Sequence, residues 1–550
     1  MTDLKSLTAL VVEPHAGMRA SLHNMLSLFG LSKIDDVANS TQAIRALNTR
    51  NYDLILCEYE LDGGQDGQQL LEDLRHHRLM QPSAMFFMVT GEGQFSKVVS
   101  VAELQPNDYI LKPFTAESML ERIARSLEKR DALLPVYELI ELGDHRAAIE
   151  ACKEQEFKQP RFAPDFMRLR AETYLLLGEP WEAEPIYADL WETKAIHWAR
   201  LGQAKTMFMR GEVQQAREVL EELLGQNRRF LDAYDWLART HEHEGQMEQA
   251  QAVLSNAVGL SPHAIRRLRK LGEVAFEAGD TETAEKALRQ VVNRARFSEF
   301  RDPEDHARLV QALVRKGDPV QAASVIRDLD KALATAPNRE VCSAISSAML
   351  HDYTGETARL EQAVQAAMNG VRASSAVSDD LKMALALAAL NAGKEEMAEE
   401  VMREVMRNAG GSHALTRAVS MLEGAGHGDM AQRLATESRM DVARMVAAGA
   451  QKAKEGDFAG AVEIMLEAVQ RLPDNPQVVF NAAVAVLKCL EHTGWEDHLG
   501  ASALDLIANV RRLDPVNPKL NALSTLYEEL LRKYNIRPGR RLPPQRKRRI

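Results

Sequence analysis

The first 130 residues alternate short apolar runs with stretches whose apolar positions recur at helical spacing. The runs Leu7–Val12, a weak Asp35–Ala38, Leu54–Glu58, Ala84–Val89 and Tyr109–Leu111 predict five strands. Helical patterns lie near residues 17–29, 41–49, 67–77, 95–103 and 115–130. Short strands separated by helices argue for an α/β doubly wound, five-stranded parallel sheet covered on both faces. The reactive edge of such a sheet lies at the carboxyl ends of its strands. That edge is expected to carry Glu13, Glu58, Thr90 and Lys112.

From about residue 131 the strand signal stops and helical periodicity takes over. Gly143, Gly178, Gly211, Gly245, Gly279, Gly317, Gly355, Gly393, Gly426, Gly456 and Gly494 recur at steps of about 30 to about 38 residues. Nine of the eleven are followed five residues later by alanine; Leu360 and Leu499 take that place after Gly355 and Gly494. Glycine permits a left-handed turn between two helices, and a small alanine lets the second helix lie close to the first. A hairpin of this kind cannot bury its own apolar face, so neighbours stack into an all-α superhelix with a concave groove. Such an array binds rather than catalyses. The expected organisation is a domain over 1–130, a repeat array over 131–536 and a tail over 537–550, with Pro135 restarting the chain after the last helix of the domain.

At 550 residues the chain is too long for one core. A content of 45% hydrophobic and 27% charged residues is that of a folded, soluble protein. No apolar run approaches the roughly 18 residues of a membrane span, so membrane insertion is not expected. Residues 1–12 lack the layout of a secretory signal. Cys57, Cys152, Cys342 and Cys489 are scattered, which suggests reduced core residues in a cytoplasmic protein. The net charge of −11 conceals a tail with seven Lys or Arg and no acid, which leaves the body near −18 and a poor general binder of nucleic acid. The tail, proline-rich and basic, is expected to be disordered and to serve solubility or partner docking.

The segments LVVEP, LILCEY, MVTGE and YILKP, with GGQDG after Glu58, resemble the anchors of bacterial response-regulator receiver domains, CheY-like in fold. The resemblance implies a phosphoacceptor at position 58, a pair of acids at 13 and 14, and a read-out set of Thr90, Tyr109 and Lys112. The departures are informative. Glu58 stands where the family has aspartate, and Pro14 replaces the second acid, leaving a degenerate acidic pocket of Glu13 and Pro14. Family members hold Mg²⁺ there, an ion that demands near-octahedral oxygen ligands, so no cofactor is expected beyond a weak Mg²⁺ site near Glu13 and Glu58 should the pocket still be competent. Losing both alignment and metal strikes the same phosphoryl-transfer step. The domain is therefore expected to be a pseudo-receiver. Glu58 either mimics the phosphorylated state toward Lys112 or forms a structural ion pair in a decayed docking module.

The later region resembles tetratricopeptide (TPR) repeats: residues 164–196 carry Ala171, Tyr174, Gly178, Ala183 and Tyr187 in the family's order, and residues 442–475 carry Gly449, Gly456, Ala461, Met465 and Pro473. Arg168, Trp198, Lys205, Phe208, Asp235, Arg239 and Arg269 are the groove candidates; hairpin packing is the plain alternative for each tryptophan. Together the modules point to a cytoplasmic adaptor of a two-component phosphorelay acting by protein–protein binding. The alternative is a phosphorylatable response regulator with the repeats as output, for which Asp62 and Asp66 are the nearby acids. The resemblance offers a histidine kinase, another response regulator or a cyclic-nucleotide signalling enzyme as partner. No phosphate-cradling glycine loop, zinc spacing or nucleophile–His–acid arrangement marks an enzyme.

Overall fold

The computed structural model describes residues 4–61, 65–91, 107–296, 301–334, 336–373, 377–409, 412–514, 517, 519–534 and 536. The expected helix near 95–103, Asp62 and the basic tail lie outside these residues.

Five parallel strands form one sheet: β1 (Thr8–Val12), β2 (Lys33–Val37), β3 (Leu54–Cys57), β4 (Met85–Thr90) and β5 (Asp108–Leu111), in the order β2-β1-β3-β4-β5. Helices α1 (Ala16–Leu28), α2 (Ser40–Thr49), α3 (Gly67–His76) and α4 (Ala116–Glu141) accompany them. The central strands are apolar throughout because alternate residues feed two cores. Leu10, Val12, Ile55, Cys57, Phe86 and Met88 pack with residues of α2 and α3, while Ala9, Val11, Leu56, Phe87 and Val89 pack with residues of α1 and α4. This is the period-two logic of a sheet covered on both sides.

The helix α4 corrects one expectation. It runs unbroken through Pro135 for 26 residues and becomes the first helix of the first hairpin, so the expected boundary at 130/131 falls inside a helix. Proline removes one backbone hydrogen bond, but the helix is gripped on both sides of it. Arg130 donates to Asp53 at 2.5 Å and to the Ser83 carbonyl at 2.9 Å, and Leu133 and Val136 are buried in the first hairpin's core.

Beyond α4 every described element of regular structure is helical. All eleven periodic glycines have positive φ, from 69° to 107°. At ten of them the following residue donates to the carbonyl five positions back, as Asp144 does to Leu139 and Asp280 to Ala275, both at 2.9 Å. That bond is the signature of the Schellman helix stop. The nine alanines that follow are at most 1% exposed. The shortest glycine step, from Gly426 to Gly456, leaves no room for a loop, and the helices on either side merge into one of 27 residues, Gly428–Lys454. All four cysteines are free and buried.

The array curves back to its start. Arg146, in the first hairpin, donates to Glu528 of the last described helix (Leu520–Lys533) at 2.6 Å and to Glu179 at 2.7 Å. A Cβ on Gly178 would meet Leu520 at 3.0 Å.

Candidate functional site in the amino-terminal domain and its seat on the repeats

Backbone hydrogen bonds continue the sheet one residue past its strands: Glu13 N–H donates to Val37, Glu58 N–H to Val12 and Lys112 N–H to Thr90, at 2.8–3.0 Å. They bring the sequence-expected quartet together. Lys112 Nζ donates to Glu13 Oε2 at 2.8 Å and to Glu58 Oε2 at 2.5 Å. The second oxygens are also engaged: Glu13 Oε1 accepts from His15 N–H at 3.0 Å, and Glu58 Oε1 from Tyr59 N–H at 2.6 Å. The Glu13 side chain is 3% exposed, that of Glu58 11% and that of Lys112 18%. Burial alone would push the Lys112 ammonium down; hydrogen bonds to the two carboxylates outweigh it and hold its pKa above the ordinary value.

The other positions complete the pocket. Pro14 contributes only its carbonyl, which accepts from Arg19 at 3.1 Å. Thr90 is 1% exposed at the end of β4, and Tyr109 is half-buried against the core face that contains Cys57, Tyr59 and Met88. The Lys112–Pro113 peptide is cis. Gly67 closes the loop after Glu58 by direct backbone approach, since a Cβ there would lie 2.3 Å from the Glu58 carbonyl. Asp66 is the N-cap of α3, accepting from Gln69 N–H at 2.8 Å; it does not sit at a strand end.

The sequence profile of the "Response regulator receiver domain" family matches residues 9–124, and tetratricopeptide repeat profiles match residues 201–265 and 268–298. Residues 9–124 are a receiver domain, and tetratricopeptide repeats follow it over residues 201–298. The receiver is similar to the chemotaxis protein CheY of Pseudomonas aeruginosa, 27% identical over 120 residues that make up 22% of this chain and 95% of that protein. It is also similar to CheY-3 of Vibrio cholerae, 25% identical over 125 residues, 23% of this chain and 95% of the other. Among solved structures, a CheY-like receiver domain from Methanospirillum hungatei is 24% identical with a TM-score of 0.21, covering 23% of this chain and 98% of that one. One from Methylobacillus flagellatus is 29% identical with a TM-score of 0.19, covering 22% and 98%.

The receiver sits on its own repeats through α3, a contact no sequence signal announced. Glu72 is 7% exposed and accepts from the N–H of Arg266 at 3.2 Å, in the first turn of the repeat helix Ile265–Glu277. That helix has no side-chain cap of its own, because Ala264 stands at the N-cap position. Glu72 therefore supplies one from another domain, where a carboxylate meets unpaired N–H groups and the positive end of the helix dipole. Burial raises the Glu72 pKa, and the backbone hydrogen bonds from the helix oppose that rise. About one turn earlier on α3, Gln69 Nε2 lies 3.5 Å from the carbonyl of Arg294, in the last turn of Thr281–Ala295.

The groove candidates divide. The Arg168 guanidinium lies 5.2 Å over Trp198, Lys205 Nζ 5.4 Å over Trp236, and Arg239 4.9 Å over Trp236, all within cation–π range. Phe208 is a correction: at 3% exposure it is core, packed edge-on to Trp236 at 5.7 Å, because an aromatic at helical spacing fills a hairpin as readily as it lines a groove. Asp235 receives two bonds from Arg267 at 2.8 and 2.7 Å, and Arg269 makes two to Asp305 at 2.6 and 2.8 Å. Both are committed as staples between successive repeats.

Proposed function

We propose that this protein is a cytoplasmic signalling adaptor of a two-component pathway, acting by protein binding through a receiver that works without phosphorylation and a tetratricopeptide scaffold, and that it is not an enzyme. The observation that carries the reading is the triad Glu13–Lys112–Glu58. One ammonium bridges both carboxylates, and the remaining oxygens accept backbone N–H groups. The residues present do not fit Mg²⁺. Pro14 brings no side-chain oxygen, the carboxylates face a cation already in place, and among the described residues no group of three or more His, Cys, Asp or Glu is arranged to hold a metal. The lysine that would grip a phosphoryl group is thus held by a permanent carboxylate, an arrangement that supports a fixed signalling state. A histidine kinase, another response regulator or a cyclic-nucleotide signalling enzyme remains the class of partner that the receiver suggests. Among the described residues no helix is long and apolar enough to cross a membrane.

The test is incubation of the full chain with a small-molecule phosphodonor, with and without Mg²⁺, followed by intact-mass analysis. No acyl phosphate on the wild type is the expected result. A Mg²⁺-dependent acyl phosphate mapped to Glu58 overturns the reading and favours a phosphorylatable regulator.

A further inference from the structure

The array meets its own start along a narrow seam. Arg146, in the first turn of His145–Lys158, donates through Nε to Glu528 of Leu520–Lys533 at 2.6 Å and through Nη1 to Glu179 at 2.7 Å. Glu179 stands at the turn after Gly178, just ahead of Pro180–Lys194. Leu520 touches the same turn: a Cβ on Gly178 would lie 3.0 Å from its Cδ2 and 3.7 Å from its Cβ. Two water-accessible spaces, of about 1320 Å³ and about 330 Å³, adjoin the seam. Arg146 and Arg532 line both, so side chains are all that separates them.

No apolar core bridges this closure. The cluster of the last helices, which includes Leu520, Leu523 and Leu530, has no member from the first hairpins, whose buried residues form clusters of their own. Permanent interfaces are large and apolar; this one is ionic and wet. The ions are also close to balance. The Glu179 side chain is 7% exposed, that of Glu528 13% and that of Arg146 33%. Burial is the largest influence on Glu528 and raises its pKa, with Arg146 opposing and Glu179 adding to the rise. One guanidinium therefore holds two carboxylates that repel each other, and parting the seam returns all three charges to water. Desolvation of such groups offsets much of their attraction, so the net hold is weak for its geometry.

We propose that the repeats form a ring with a breakable seam, in which Arg146 is the clasp and the last two described helices swing away from the first two hairpins. Closure walls off one end of the inner face. Arg168 and Glu172, where the cation–aromatic row of Trp198, Lys205 and Trp236 begins, line the larger space together with Tyr527 and Leu531 of the last described helix. Opening uncovers that end of the row, so a protein partner that binds there favours the open ring by its differential affinity for the two states. Neither Glu58 nor Lys112 takes part in the clasp, so its failure and that of the phosphorylation-independent reading are separate results.

The experiment uses the full chain carrying Gly178→Cys and Leu520→Cys. The 3.7 Å between those Cβ positions lies within the disulfide range of about 3.5–4.5 Å, and the four native cysteines are buried. Oxidation is expected to link the pair, and the reduced form of the same protein controls for both substitutions. Reduced protein is expected to exchange amide hydrogens faster than oxidised protein in Leu520–Lys533 and in the turn at Gly178, and at the same rate in Ile265–Glu277. Arg146→Met in the otherwise native chain leaves two buried carboxylates facing each other, so exchange at the seam is expected to quicken about tenfold. The radius of gyration from small-angle X-ray scattering is expected to grow with it. Adding the cysteine pair to Arg146→Met and oxidising it is expected to restore both. The proposal is overturned if the pair does not link, if reduced and oxidised forms exchange alike at the seam, or if Arg146→Met leaves the radius of gyration unchanged. Loss of protection throughout the repeats that the cross-link does not reverse also overturns it, since Arg146 then stabilises the fold and not a clasp.

Discussion

Glu72 on the receiver's third helix caps the repeat helix that begins beside Arg266, 194 positions further along the chain, through a 3.2 Å bond to a backbone N–H. A helix start closed by a carboxylate from another domain makes docking and helix stability one event. Burial raises the Glu72 pKa, and the dipole and N–H groups at that start offset part of the rise.

Replacing that carboxylate tests the coupling. Glu72→Ala is expected to cost about 1 kcal/mol, the worth of a lost N-cap. Hydrogen exchange should quicken in two places at once, the first turn of Ile265–Glu277 and the exposed edge of α3. Glu72→Gln keeps an acceptor without the charge, and because burial raises the Glu72 pKa on balance, it is expected to be at least as stable as the wild type at neutral pH. Faster exchange in the repeat helix with α3 unchanged would mean that docking does not depend on the cap.

The hairpin glycines allow a cleaner separation of backbone from packing. Gly279 has φ +87° and a Cβ there would touch nothing within 4 Å. Gly279→Ala therefore carries only the left-handed backbone penalty, about 1–2 kcal/mol. Gly259 is also free of neighbours within 4 Å but lies inside the helix Met247–Leu260. Gly259→Ala is expected to stabilise by about 0.5–1 kcal/mol. Urea titration followed by tryptophan fluorescence reports on both, since all five tryptophans lie in the repeat region. Equal effects would remove the conformational account of the periodic glycines.

Much of this architecture was legible beforehand, for reasons that these positions illustrate. A strand buried on both faces must be apolar throughout, so β1, β3 and β4 announced themselves. β2 lies at the edge of the sheet, where the adjacent Asp35 and Asp36 are tolerated, and they made its strand signal faint. A left-handed turn selects glycine and a close helix crossing selects alanine, which made the eleven turns readable. Strand ends put Glu13, Glu58, Thr90 and Lys112 on one edge, and the receiver resemblance brought Glu58 toward Lys112; the second bond, from Lys112 to Glu13, was not expected. What stayed hidden depends on curvature summed over many repeats: no local pattern in Glu72 or Arg146 shows what lies 194 or 382 positions away. Pro135 misled for a related reason. Its penalty is local, while the burial of Leu133 and Val136 that overrides it is tertiary.

Asp379 gives the array a pH dependence of predictable sign. Burial is the largest influence on it and raises its pKa to about 6, with Lys382 opposing. The raised folded-state value means that the native protein holds this proton more tightly than the unfolded chain does. The group's contribution to stability is fully present below the ordinary carboxylate value of about 3.9. It is lost as pH rises through about 6. Asp379→Asn, which stays neutral, is expected to be more stable than the wild type at pH 7, with the gap narrowing as pH falls through that window. Parallel wild-type and variant curves from pH 7 to pH 4.5 would rule Asp379 out as the titrating group.

The receiver triad makes the sharpest demand on the protein. Removing Lys112 leaves the carboxylates of Glu13 and Glu58 facing each other, the first 3% exposed and the second 11%. Truncating one member of a buried ionic group is expensive because the charges left behind lose both water and partner. Lys112→Met is therefore expected to destabilise the receiver by about 3 kcal/mol at neutral pH. Tryptophan is absent from the receiver, so hydrogen exchange in β1, β3 and β5 is the suitable measurement. The double variant Glu58→Gln with Lys112→Met removes the repulsion and should recover most of the loss, since a neutral amide can still accept from Tyr59 N–H. If the double variant exchanges as fast as Lys112→Met alone, the pairing of Glu58 with Lys112 is not what holds this edge of the sheet together.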